Sequence, residues 1–273
     1  KRPAVMTERK RKAIGVFDSG VGGLTVAGEL MNRLAGEDIV YLADSARVPY
    51  GTKSPDTVLR FTREGLDFLK GRNVKLIVIA CNTASSVALP KLVCEEDIPL
   101  VGVLLPGARA AAKASRNGKI AVIGTPATIR SRAYETALHE IDQYLDVRSQ
   151  PCPLFVSLAE EGWLDDDVAR MVAHRYLDSL AGFGADTMVL GCTHYPLLKG
   201  VISEAMGSGV NLVDSAKEAA AEVEGVLERE GLARGRSEGG RFECDVTDNP
   251  YLFREVGERF LGRPINKVEH VSF

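Results

Sequence analysis

The sequence has few of the features that mark a disulfide-stabilised, zinc-binding or membrane-spanning protein. Its 273 residues include only five cysteines, with no C-x-x-C pair and no histidine at zinc-finger spacing. No stretch approaches the roughly 20 continuous apolar residues that a membrane helix requires. These absences argue against a disulfide framework, structural zinc and a membrane protein, and they favour the reducing cytoplasm as the location.

Positive charge is also scarce. The formal net charge is −3, and the only concentration of basic residues is the first segment, KRPAVMTERKRK. Nucleic-acid binding requires a basic face that neutralises phosphates, so the sequence gives no electrostatic support for such a partner. No apolar segment follows the basic residues before AIGVFDSG, which predicts a disordered tail and not a secretory signal.

The residues that are present indicate an α/β protein. Hydrophobic residues make up 45% of the chain and charged residues 26%, an ordinary globular composition, and the length predicts two domains. Short Val- and Ile-rich runs are typical of parallel strands buried on both faces: AIGVF, DIVYLAD, KLIVIAC, PLVGVL, KIAVIGT and ADTMVLGC. Helix-length segments separate them, such as SPDTVLRFTREGLDFLKGRN and SAKEAAAEVEGVLEREGLARG. The stretch ARGRSEGGR predicts a mobile loop.

Two pairs of segments indicate that the chain consists of related halves. The segment at 14–19 resembles that at 120–125, and the segment at 77–83 resembles that at 187–193, at a similar spacing along the chain. In the second pair, each strand end carries a cysteine with a hydroxyl residue close behind it. This shared chemistry favours a duplication over a chance likeness between buried strands.

The predicted strand ends are the first candidates for a functional site, because ligands bind at the carboxyl ends of parallel strands. Five such ends carry polar or reactive residues: Asp18-Ser19-Gly20, Asp44-Ser45, Cys81-Asn82-Thr83, Gly124-Thr125 and Cys192-Thr193-His194. The loop DSGVGGLTV matches neither a Walker loop nor a dinucleotide fingerprint. By itself it therefore indicates only a tight turn before a helix.

Cys81 and Cys192 are the strongest candidates for chemistry. Each stands at the expected mouth of a sheet and precedes a segment that can begin a helix, a position that lowers a thiol pKa from its ordinary value of roughly 8.5. Two related halves that face each other would bring both thiols to one cleft. Two acid–base groups on opposite faces of a carbon can invert a stereocentre, because one removes a proton and the other returns one.

Several motifs resemble those of glutamate racemases, within the cofactor-independent aspartate/glutamate racemase superfamily. They are FDSGVGGLTV, YLADSARVPYGTKS, IACNTASS, VIGTPATIRSRAY, PLFVSLAEEGW and LGCTHYPLL, and the likeness covers nearly the whole chain from Ile14. The resemblance implies two pseudo-symmetric, doubly wound α/β domains with mainly parallel sheets and an active site in the cleft between them. It implies a first domain of residues 1–103 plus 214–273 and a second of residues 104–213.

The resemblance also implies the site residues. Cys81 is expected to act on D-glutamate and Cys192 on L-glutamate, assisted by Asp18, His194 and Glu160, with Glu161 the alternative if the alignment slips by one residue. The expected substrate-binding residues are Asp18, Ser19, Tyr50, Gly51, Asn82, Thr83, Thr125, Thr128, Thr193 and His194. Neither a metal nor a cofactor is expected. Whether Asp18 accepts a proton or orients the substrate ammonium is left open.

The implied biology is the supply of D-glutamate for peptidoglycan synthesis by a cytoplasmic homodimer. Two alternatives stay open: a racemase of a related substrate such as aspartate or a hydantoin, and a regulatory protein of the same fold that restrains DNA gyrase. Only the basic tail would support a nucleic-acid-associated role. The segment ECDVTDNPYLFREVGERFLG departs from the Thr-Gly-Asp more usual in the family, so its local turn is open.

Overall fold

The computed structural model describes residues 8–235 and 239–273, and its strands form two parallel sheets. The first sheet contains β1 (Ile14–Asp18), β2 (Ile39–Ala43), β3 (Leu76–Ile79), β4 (Leu100–Gly102), β9 (Phe242–Val246) and β10 (Val268–His270). Its order is β10-β9-β2-β1-β3-β4, and every neighbouring pair is parallel. The second contains β5 (Lys119–Gly124), β6 (Asp146–Pro151), β7 (Thr187–Gly191) and β8 (Asn211–Asp214), in the order β6-β5-β7-β8.

Helices connect the strands. They are α1 (Leu24–Arg33), α2 (Pro55–Gly71), α3 (Asn82–Val87), α4 (Leu89–Leu92), α5 (Leu104–Ala114), α6 (Pro126–Arg130), α7 (Ala133–Ile141), α8 (Leu154–Glu161), α9 (Asp167–Ala181), α10 (Lys199–Met206), α11 (Ser215–Arg229) and α12 (Pro250–Leu261). Several begin at a side chain that accepts a hydrogen bond from a free backbone N–H, as Ser54 does from Thr57 and Asp166 does from Ala169. None of the helices in the described part of the chain is both long and apolar enough to span a bilayer.

The predicted α/β fold with parallel strands is confirmed, and each of the six apolar runs contains a strand. Strands β6, β8, β9 and β10 were not predicted. β6 has the sequence DVRSQP, is only partly buried and forms an edge of its sheet. An edge strand exposed on one side needs no continuous apolar run, so the hydrophobic signal is missing.

The two sheets repeat one strand order. The central part of the first, β2-β1-β3-β4, corresponds to β6-β5-β7-β8 in the second. The resembling segments therefore occupy equivalent places: β1 matches β5, and β3, which leads to Cys81, matches β7, which leads to Cys192. Because strands β9 and β10 join the first sheet, the C-terminal segment returns to the half that contains Cys81. The domain boundaries themselves remain a prediction.

Two predicted mobile segments are only partly described. Residues 1–7 of the basic tail lie outside the described residues, but residues 8–11 are helical and the carbonyl of Lys10 accepts a hydrogen bond from the buried Lys75 at 3.0 Å. In the loop ARGRSEGGR, residues 236–238 lie outside the described residues. On either side, Arg234 N donates to Glu37 Oε1 and Arg241 N to Asp38 Oδ1, each at 2.8 Å. These flanks are thus anchored.

Candidate active site

Cys81 lies two residues beyond β3 and caps the start of α3. Its sulfur accepts a hydrogen bond from Ala84 N at 3.5 Å and donates to Ser19 Oγ at 3.5 Å. Burial, and after it the charge of Asp18, raises the pKa of Cys81 to about 12. The expectation of a lowered pKa at this position is therefore wrong, because desolvation of the thiolate outweighs the backbone N–H groups of a short helix.

Cys192 follows β7 directly and has a different partner. Its Sγ lies 3.8 Å from His194 Nδ1, and His194 Nε2 lies 2.8 Å from Glu160 Oε1. Burial alone would lower the pKa of His194, but the hydrogen bonds with Cys192 and Glu160 outweigh it and raise the pKa to about 10. The imidazole is therefore protonated at neutral pH and lies between a sulfur and a carboxylate.

Glu160 stands at the C-terminal end of α8, and the structure places this residue, not Glu161, against His194. Gly162 ends α8 in the left-handed conformation, with φ of 79°. Arg259 Nη1, from α12, donates to the backbone carbonyl of Glu160 at 2.7 Å. The helix end and the arginine together hold the backbone from which the carboxylate reaches His194.

Asp18, the last residue of β1, is completely buried. Its Oδ2 accepts a hydrogen bond from Gly20 N at 2.9 Å, whereas Oδ1 has no hydrogen-bond partner among the described residues. Burial raises the pKa of Asp18 to about 6, against the opposing effects of the Gly20 hydrogen bond and the His194 charge. The carboxyl group can therefore gain or lose a proton near neutral pH.

Polar side chains from the two halves meet beside the thiols. Thr83 Oγ1, on α3, lies 2.9 Å from Thr125 Oγ1 and 3.3 Å from Thr128 Oγ1, both at the start of α6. On the first half, the Tyr50 hydroxyl donates to Asp44 Oδ2 at 2.5 Å. The threonine contacts bring together groups that are distant in the sequence.

A cavity of about 50 Å³ lies between the two cysteines. Its wall consists of Ser19, Gly20, Val48, Pro49, Tyr50, Gly51, Cys81, Asn82, Thr83, Thr125, Val156, Glu160, Cys192, Thr193 and His194. The structure thus brings together all the predicted site residues except Asp18 and Thr128. Those two are buried against wall residues, Asp18 at the Gly20 turn and Thr128 beside Thr83 and Thr125, and their contact with the substrate remains a prediction.

Sequence reasoning missed a close contact between the halves. A Cβ atom at Gly22 would lie 2.2 Å from Thr193 Oγ1 and 2.5 Å from the His194 ring. Only glycine permits this approach. The sequence indicated only a tight turn for the loop DSGVGGLTV, but Thr193 and His194 also pack against this loop. The three glycines of the loop, next to a candidate site, were the sequence feature that could have indicated such close packing.

Two further residues were not assigned to the site. Asp44 holds Tyr50, and the Tyr134 hydroxyl donates to Asn82 Oδ1 at 2.6 Å. Both residues lie within quoted motifs, but no local pattern shows that Asp44 accepts a hydrogen bond from Tyr50 or that Tyr134 contacts the distant Asn82. Among the described residues, no group of three or more His, Cys, Asp or Glu side chains is arranged to hold a metal ion.

Fold and site together define an α/β enzyme with one thiol from each half at a shared cavity. The family model of Asp/Glu/Hydantoin racemase matches residues 25–223, and the chain belongs to this family. It is 53% identical over 261 residues to a glutamate racemase of Geobacter metallireducens, covering 96% of this chain and 97% of that protein.

Solved structures agree with the family assignment. The glutamate racemase isoform RacE1 of Bacillus anthracis superposes with a TM-score of 0.93 at 41% identity, covering 96% of this chain and 98% of that one. The glutamate racemase of Francisella tularensis, solved in complex with D-glutamate, superposes with a TM-score of 0.90 at 38% identity and the same coverage.

Proposed function

We propose that this chain is a glutamate racemase that interconverts L- and D-glutamate with two cysteines and no cofactor. The observation that carries the proposal is the placement of Cys81 and Cys192 at one cavity, just beyond strands that are equivalent in the two halves. Sequence identity to proteins named glutamate racemases, over nearly the whole chain, also supports the proposal. The same proteins favour glutamate over the aspartate and hydantoin alternatives.

The surroundings of the thiols support one assignment of the first proton transfer. Cys81, whose pKa is raised to about 12, is a thiol at neutral pH. Cys192 Sγ lies 3.8 Å from the protonated imidazole of His194, an acid–base partner that Cys81 lacks. Cys192 therefore removes the α-proton of L-glutamate: an S–H bond forms as the C–H bond breaks. Cys81 then gives its proton to the opposite face, which yields D-glutamate.

Each such turnover leaves Cys192 protonated and Cys81 as the thiolate. That form is the one that accepts D-glutamate, so the reverse reaction needs no new group. To convert L-glutamate again, protons must return through neighbouring groups. Asp18 on one side and the His194–Glu160 pair on the other are suited to this, because both Asp18 and His194 have raised pKa values. The complete burial of Asp18 favours proton acceptor over contact with the substrate ammonium.

The cavity wall is suited to a small dicarboxylate. Hydroxyl groups of serine and threonine and the amide of Asn82 offer hydrogen-bond donors from both halves. No arginine is among the wall residues, so we infer that the carboxylates are held by several neutral donors instead of one cationic clamp. Thr128 and Asp44 support Thr125 and Tyr50 from behind.

The physiological role that we propose is the supply of D-glutamate for peptidoglycan synthesis, in the cytoplasm and as a homodimer. A gyrase-restraining or nucleic-acid-associated role rests on the basic tail alone. Its first residues, 1–7, lie outside the described part of the chain.

The proposal is tested by circular dichroism of L- and D-glutamate incubated with the purified protein, with no cofactor added. We expect racemisation by the wild type and by Cys94→Ser, the control at an exposed thiol. Cys81→Ser and Cys192→Ser should each lose at least about 10³-fold in rate, because a hydroxyl is too weak an acid to replace the thiol. Turnover of aspartate but not glutamate, or wild-type turnover in either variant, would contradict the proposal.

A further inference from the structure

The amide of Asn82 has one satisfied and one unsatisfied end. Asn82 is almost fully buried, begins α3 next to Cys81 and forms part of the cavity wall. Its Oδ1 accepts the hydrogen bond from Tyr134, whereas Nδ2 has no hydrogen-bond partner among the described residues. Buried donors without a partner are rare in folded proteins unless a ligand or ordered water completes them.

Tyr134 determines which end of the amide is free. Its side chain is 2% exposed, and its hydroxyl lies 2.6 Å from Asn82 Oδ1. Burial is the largest effect on the pKa of this hydroxyl and raises it, so the hydroxyl keeps its proton. A hydroxyl has one hydrogen to donate. That hydrogen goes to Asn82, which must present its carbonyl oxygen and direct its NH2 group elsewhere.

We propose that Tyr134 is a positioning residue that fixes the Asn82 amide so that its NH2 group donates to a carboxylate oxygen of the bound substrate. The proposal rests on the proposed function and refines it. An NH2 group can serve a carboxylate but not an ammonium group, which has no lone pair. The orientation of the Asn82 amide thus favours a carboxylate of the substrate, and not its ammonium group, beside α3.

The contact also connects the two halves of the site. Asn82 follows Cys81 on the first half, whereas Tyr134 lies on α7 of the second. Tyr134 therefore sets the amide from across the cleft, and it does so only when the halves have the arrangement in which both thiols border the cavity.

A double-mutant cycle separates positioning from packing. With glutamate as substrate, Tyr134→Phe should raise KM about tenfold in both directions and change kcat by less than about threefold, the effect of one weakened hydrogen bond to the ground state. Asn82→Ala should raise KM at least as much, and the double variant should be no worse than Asn82→Ala alone. Tyr176→Phe is the control: it removes the hydroxyl that accepts a hydrogen bond from Leu154 N, outside the wall.

A second variant tests the direction of the NH2 group with Tyr134 intact. Asn82→Asp keeps an oxygen for Tyr134 but places an acceptor where the NH2 group stood, so KM should rise above that of Asn82→Ala. Equal or tighter binding of glutamate by Asn82→Asp, wild-type KM in Tyr134→Phe, or additive losses in the cycle would overturn the inference. The wild-type control in the same assay tests the proposed function independently. Absence of glutamate racemisation by the wild type would contradict the proposed function, whereas the variant results above would contradict only the role of Tyr134.

Discussion

Asp18→Asn should make the protein more stable at neutral pH while it impairs catalysis. Asp18 is completely buried, and burial raises its pKa to about 6 from an ordinary value of 3.8. Its ionised form is therefore disfavoured in the folded state relative to the unfolded chain. Asparagine has nearly the same shape as the protonated acid and carries no charge, so it removes this cost while it can still accept the hydrogen bond from Gly20.

The size of the effect follows from linkage. A group with a raised folded pKa contributes stability that is fully present below its unfolded pKa and is lost as pH rises through its folded pKa. For Asp18 the loss spans roughly pH 4 to 6 and, for a shift of about two units, amounts to about 3 kcal/mol. The other titratable groups are the same in the wild type and in Asp18→Asn, so their contributions to the pH dependence of stability largely cancel when the two proteins are compared. Thus the free energy of unfolding of Asp18→Asn minus that of the wild type should increase by about 3 kcal/mol between pH 4 and pH 8.

Urea denaturation at a series of pH values measures this difference, provided the slope with denaturant is the same for both proteins. Asp97→Asn, at an exposed position, is the control for loss of a negative charge. A difference that stays flat between pH 4 and pH 8, or that falls, would refute the reasoning. We expect racemisation by Asp18→Asn to be reduced at pH 8, since its side chain can no longer accept a proton.

Two other substitutions test neighbouring parts of the site. Gly22→Ala should reduce racemisation by about 10²-fold, because the new methyl group would displace Thr193 or His194; Gly200→Ala, with open space around it, is the control, and full activity of Gly22→Ala would contradict the packing described. Glu160→Gln should lower the pKa of His194 from about 10, as followed by NMR titration, because the carboxylate no longer stabilises the imidazolium. An unchanged His194 titration in Glu160→Gln would contradict this assignment.

The buried strands and the position of the site could be predicted from local sequence. An apolar run such as LIVI must lie between two layers of helices, and the polar residues after it must then lie at an edge of the sheet. The same rule places Cys81 and Cys192 at the mouth of a sheet from local sequence alone. By contrast, β6 pairs with β5 and β9 pairs with β2, but their sequences mix polar and apolar residues. Neither contains the continuous apolar run that predicts a buried strand.

The environment of each side chain could not be predicted, because it depends on contacts between distant residues. Cys81 begins a helix, which led to the expectation of a lowered pKa; its burial next to Asp18 reverses that. The C-terminal segment shows the same dependence: despite its unusual sequence, Asn249 caps α12 by accepting hydrogen bonds from the N–H groups of Tyr251 and Leu252. Tyr134 and Arg259 reach their partners only because the halves face each other.

The central claim is that two thiols act on opposite faces of one carbon, and isotope incorporation tests it most directly. L-Glutamate is incubated with the wild type in D2O, and the reaction is stopped early for mass spectrometry of the separated enantiomers. The account predicts that D-glutamate carries deuterium at the α-carbon while the remaining L-glutamate keeps protium, and the converse when D-glutamate is the substrate. A D-glutamate product that retains the original proton would show that one group both removes and returns it, and would contradict the account.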